Sequence, residues 1–158
     1  MISKIIAMAM TLVSIFLPTA VSAMQLKFDG LSDRLVMHLK EVHECDKLRF
    51  VSSHPADGDA WLLSFKNDTT IDVRLQRNGD VVSSLEAVSS DQTNGAFEDM
   101  MCLMIATMRA LQPDSIDTYD AFYDAAFYWS RAKFHRYETA FFTDTLSVQY
   151  RPFMFRFE

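Results

Sequence analysis

Thr70-Ile71-Asp72-Val73-Arg74-Leu75-Gln76 alternates apolar and polar positions, which places Ile71, Val73 and Leu75 on one face of a strand. Asn78-Gly79 follows, a pair that supplies the positive φ angles of a tight hairpin turn, and Val81 to Val88 return as the second strand. Upstream the period is helical. Leu31, Leu35, Val36, Leu39 and Val42 recur at helical spacing across Gly30 to Val42, with Ser32 as the expected cap. Leu48, Phe50 and Val51 then predict a short strand ending at His54-Pro55, and Trp61 to Lys66 a further extended segment.

Downstream of the hairpin, Ser89-Ser90-Asp91 opens a polar loop, and an apolar helix is expected from Phe97 to about Leu111. Thr93 or Asn94 caps it, Glu98 and Asp99 suit the positive end of its dipole, and Pro113 stops it. A second helix is expected from Thr118 to Ala132 with Asp117 as cap. Phe134 to Phe142 and Leu146 to Phe157 then read as the final strands, joined at Thr143-Asp144. Together these elements predict an α+β domain: an antiparallel sheet with helices packed on one face.

The N-terminus adds an address. Met1 to Ala23 reads as a secretory signal peptide, with Lys4 in the n-region, apolar Ile5 to Leu17, and Val21-Ser22-Ala23 as the cleavage motif. The apolar run is shorter than the roughly twenty residues a transmembrane helix wants. Cleavage after Ala23 leaves residues 24–158 as one exported domain, periplasmic or secreted, with no stable membrane insertion. Losing Lys4 takes the formal charge from −6 to about −7, which argues against nucleic acid as a partner. In an oxidising compartment the even pair Cys45 and Cys102 is most simply one disulfide, and no CxxC spacing supports thiol redox chemistry.

The run Val73 to Val82, then Val88-Ser89-Ser90, then Phe97-Glu98-Asp99 and an apolar helix ending near Pro113, resembles the C-terminal domains of TolA and TonB. Cys102 with Cys45, and Pro113 followed by Tyr119 and Phe122, also resemble TolA-like domains; the similarity covers about residues 61–122. The long periplasm-spanning segment of that family is absent. The resemblance implies protein–protein recognition in a bacterial envelope, often by adding a partner strand to a sheet edge.

No cluster spells out a reaction. Met101, Met104 and Met108 form a stripe that would suit Cu(I), but the helix is apolar nearly all round, as a core helix is. His38, Glu41, His43, Glu44 and Cys45 match no zinc-protease pattern and fit a helix end. Asp114, Asp117, Asp120 and Asp124 fit a cap and a solvated face. No Gly-x-Ser-x-Gly elbow frames a nucleophile. No catalytic, cofactor or metal residue is therefore assigned.

The aromatic excess is the remaining signal. Tyr119, Phe122, Tyr123, Phe127, Tyr128 and Trp129 share one short helix, and eight more aromatics follow. They fill a phenylalanine-rich core or mark a partner surface. Pro152 lacks an amide hydrogen, so the last strand is expected at an edge or bulged near Arg151-Pro152. The expected partner-binding edge is accordingly Val148, Tyr150, Arg151, Phe153 and Phe155. The sequence points to a non-enzymatic periplasmic protein-binding module whose partner is another envelope protein. A toxin or hydrolase inhibitor, and a small hydrolase or ligand carrier, are the alternatives.

Overall fold

A computed structural model describes residues 26–113, 117–131, 136–142 and 144–158. The expected signal segment 1–23 and the cleavage site after Ala23 lie outside the described residues. Helix α1 (Leu31–Glu41) starts at Gly30, whose φ of 66° is the left-handed conformation glycine adopts without penalty. Ser32 does not cap it. Arg34 instead donates its guanidinium to the carbonyls of Asp29 and Lys27, tying down the entering chain. A single 3-10 turn (Cys45–Lys47) leads into β1 (Arg49–Pro55) and β2 (Ala60–Lys66).

The hairpin of β3 (Thr70–Asn78) and β4 (Val81–Ser89) is as its alternation predicts, with Ile71, Val73 and Leu75 buried. Its turn is displaced by one residue, because Asn78 pairs with Val81 and leaves Gly79 and Asp80 at the tip. Helix α2 (Asn94–Leu111) follows, with Thr93 accepting the Ala96 amide at 3.2 Å as its cap. Met104 and Met108 are fully buried and Met101 packs half-buried against the same core, so the methionine stripe is core packing. Helix α3 (Asp117–Arg131) then precedes β5 (Tyr137–Phe141), β6 (Asp144–Gln149) and β7 (Met154–Phe157).

All seven strands form one antiparallel sheet in the order β1-β2-β3-β4-β7-β6-β5. The chain lays down four strands, crosses by two helices, and returns inward so that its final strand sits against β4. One register row runs Leu75, Leu85, Phe157, Leu146; the next runs Val73, Ala87, Phe155, Val148. Both rows are buried under the helices. Each large apolar side chain removed from water contributes roughly 1.5–3 kcal/mol. The opposite face carries Asp72, Arg74 and Gln76 to solvent. Antiparallel sheets tolerate this division into a dry and a wet face.

Cys45 and Cys102 are bonded, with their Cα atoms 5.4 Å apart. The bridge joins the segment after α1 to the middle of α2.

The end of the chain departs from expectation. Leu146 to Phe157 is not one strand but the β6–β7 hairpin, turning over Tyr150 to Phe153 with a cis Arg151–Pro152 bond. A bulge is not what reconciles the two apolar phases. The turn does so, by letting Val148 and Phe155 meet as cross-strand partners on the same face.

Candidate functional site

β7 is hydrogen-bonded on both sides, to β4 and to β6, so the expected edge is interior. Val148, Phe153 and Phe155 are buried core residues with no surface to offer a partner. Tyr150 is half-buried against Phe97 and Phe153, with ring centroids at 6.3 and 5.0 Å. Only Arg151 of the five is exposed. Tyr150 and Arg151 do line an open depression of about 500 Å³ with Ser89, Ser90 and Gln92.

A free edge on this side of the sheet lies two strands away, at β5. Among the described residues β5 pairs only with β6, in unbroken register from Tyr137↔Val148 to Phe141↔Asp144. It has neither a proline nor a bulge to interrupt pairing, and its guards against it are its length of five residues and the charge of Glu138. Glu138 and Ala140 are exposed along it.

Helix α3 lies alongside. Its inner face consists of Thr118, Ala125 and Trp129, aided by half-buried Ala121 and Phe122. The buried Trp129 donates its indole N–H to the Gln149 carbonyl at 2.8 Å and packs edge-on against Phe97 at 5.4 Å. That anchor fixes the rotation of the helix. Residues four apart share a helix face, so the opposite face aligns Tyr119, Tyr123 and Phe127 in one stripe. All three are exposed, Tyr123 most at 66%. Arg109 lies over Tyr119 at 4.9 Å and Arg131 over Phe127 at 4.0 Å, while no cation covers Tyr123 among the described contacts. The aromatic excess thus divides: Trp129, Phe141, Phe153, Phe155 and Phe157 fill the core, and the stripe remains outside.

Between α3 and β5 runs a groove of about 250 Å³, with Phe141 and Leu146 among its apolar lining and Asp120 and Asp124 on its helix side. Tyr128 stacks flat on Tyr137, 4.2 Å between centroids and 14° between planes, coupling the helix to the edge strand. Aromatic stripe, acidic groove and open edge therefore form one continuous surface.

The other clusters resolve into structure. His38 pairs with Glu41 at 3.0 Å, and Glu41 also meets Arg109 at 3.4 Å, joining α1 to α2. Asp117, Asp120 and Asp124 are exposed on α3, and Asp114 lies outside the described residues. Among the described residues no three His, Cys, Asp or Glu side chains gather as a metal site, and no helix is long and apolar enough to cross a membrane.

Two carboxyls are buried. Burial pushes the Asp99 carboxyl above its ordinary value, against the lowering effect of the Asn67 amide donating at 3.1 Å. Burial likewise raises Asp144 at the start of β6, where Oδ1 has no hydrogen-bond partner among the described residues.

No protein-family model, curated protein or solved structure matches the chain. The surface must be interpreted from its own chemistry. Sequence reasoning missed β5 as the edge. Its signal was present in the alternation of Tyr137, Thr139 and Phe141, but nothing local ranks one strand as outermost.

Proposed function

We propose that this protein is a non-enzymatic protein-binding module of the bacterial envelope, exported by residues 1–23 to the periplasm. It captures an extended segment of its partner along the β5 edge and the aromatic face of α3. One observation carries the reading: the outer strand β5 lies beside an exposed Tyr/Phe stripe, with an acidic-sided groove between them. Main-chain pairing to β5 supplies affinity, and side chains of the added strand supply specificity in the groove. Tyrosine is enriched among residues that dominate binding energy because its ring is large and costs little entropy to fix. Asp120 and Asp124 favour a segment bearing Lys or Arg. An adaptor of TolA or TonB style fits this behaviour, as does an inhibitor of a toxin or hydrolase, which would use the same surface on a different partner.

The test is photo-crosslinking from positions 123 and 139 of the exported protein in its native envelope, followed by mass spectrometry. One specific protein should be captured from both positions. Tyr123→Ser should lower its recovery at least about tenfold, the scale of one hot-spot residue, without moving the unfolding midpoint. Equal recovery from the folded Tyr123→Ser and Asp120→Asn/Asp124→Asn variants would sink the reading.

A further inference from the structure

The far end of the sheet carries the opposite chemistry. β1 is the second outer strand, and Lys47, Arg49, Phe50, Val51, Lys66 and Asn67 line an open depression of about 560 Å³ beside it. All three cations are exposed, on a chain of formal charge −6. Arg49 and Lys66 are direct cross-strand partners. Like charges directly opposite each other on antiparallel strands repel and weaken the pairing. Among the described residues no carboxylate forms an ion pair with Lys47, Arg49 or Lys66. The fold therefore holds two cations face to face with a third nearby, none of them within ion-pair distance of a carboxylate among the described residues; Asp99, an acid at this rim, instead accepts the Asn67 amide at 3.1 Å. Val51, the extra residue of a bulge between Phe50 and Ser52, stands 58% exposed at the same place.

We infer that this depression is a second binding site, for a short acidic peptide segment carrying an apolar residue. Its carboxylates neutralise Lys47, Arg49 and Lys66, and its apolar side chain covers Val51 and Phe50. The bulge and Pro55 interrupt the β1 edge, which limits main-chain pairing and keeps the occupant short. Charge complementarity, not strand addition, selects the ligand here. The site stands apart from the β5–α3 surface and uses none of its residues.

The probe is a fluorescein-labelled Glu-Glu-Leu-Glu-Glu peptide, titrated by fluorescence anisotropy into the full protein, with a Lys-Lys-Leu-Lys-Lys peptide as control. Saturable binding of the acidic peptide alone is expected. It should weaken at least about tenfold in Arg49→Gln/Lys66→Gln and again between about 50 and 500 mM salt, as exposed charge contacts do. The variant should unfold no earlier than the wild type, because it removes a repulsion. Tyr123→Ser and Asp120→Asn/Asp124→Asn should leave this binding unchanged, which separates failure here from failure of the β5–α3 reading. Peptide binding insensitive to Arg49→Gln/Lys66→Gln would overturn the assignment. So would binding of pyrophosphate without the peptide, or self-association in ultracentrifugation abolished by the same variant, which would put a second copy there.

Discussion

Removing the Cys45–Cys102 bond tests the physical account of this fold most directly. The bridge spans a sequence separation of 57, and closing a loop of that length restricts the unfolded chain. In the loop-entropy treatment this contributes about 4 kcal/mol at 25 °C. The folded state should survive the loss, because α1 remains seated through buried Leu31, Leu35 and Leu39. Domains typically hold about 5–15 kcal/mol in reserve. For a chain of this size the expected fall in melting temperature is roughly 12–20 °C, from about 3–5 °C per kcal/mol. Guanidinium titrations of the oxidised protein, the reduced protein and Cys45→Ala/Cys102→Ala give the assay. Both bridge-free forms should lose about 4 kcal/mol, the double variant slightly more because Cys45 is buried. The denaturant slope should rise, since an uncrosslinked unfolded chain exposes more surface. A loss below about 1 kcal/mol in both forms would refute the reasoning, because an entropic constraint on this loop cannot be that small.

Two further substitutions probe the parts that orient the surface. Trp129→Phe keeps an aromatic ring but removes the donor to the Gln149 carbonyl, and should cost about 1–3 kcal/mol in the unfolding midpoint. An unchanged midpoint would mean that this bond does not anchor α3. Asp144→Asn tests the buried carboxyl through pH. A pKa raised by folding means that stability is fully present below the ordinary Asp value of 3.8 and is lost as pH rises through the folded value. The variant should therefore gain on the wild type at pH 7 and lose that advantage as the pH falls from the raised folded value to 3.8. Melting curves at several pH values check this; a pH-independent difference between the two proteins would contradict it.

What the sequence disclosed and what it withheld divide along the range of the interactions. The β3–β4 alternation, a cap at Thr93 or Asn94 and the all-round apolar α2 are set by neighbours within a few residues, and each is present, with Thr93 as the cap and Asn94 as the first helical residue. The disulfide was legible for another reason: two cysteines in a chain expected to be exported leave one pairing. The order of the strands has no such local trace. Pro152 was expected to mark an edge because it cannot donate to a ladder, but a proline satisfies that constraint equally well in a turn, and here it lies between β6 and β7. With the turn in place, Phe155 and Phe157 face the same core as Val148 and Leu146. The apolar final strand then gains most by inserting beside β4, where Leu85 and Ala87 complete its burial. That insertion moves the edge outward to β5, whose short run with exposed Glu138 and Ala140 leaves less apolar surface in water. The same long-range pairing sets Arg49 opposite Lys66, a juxtaposition visible only once β1 and β2 are in register. The candidate binding surfaces were thus the least legible features, because each is made where elements distant in sequence meet.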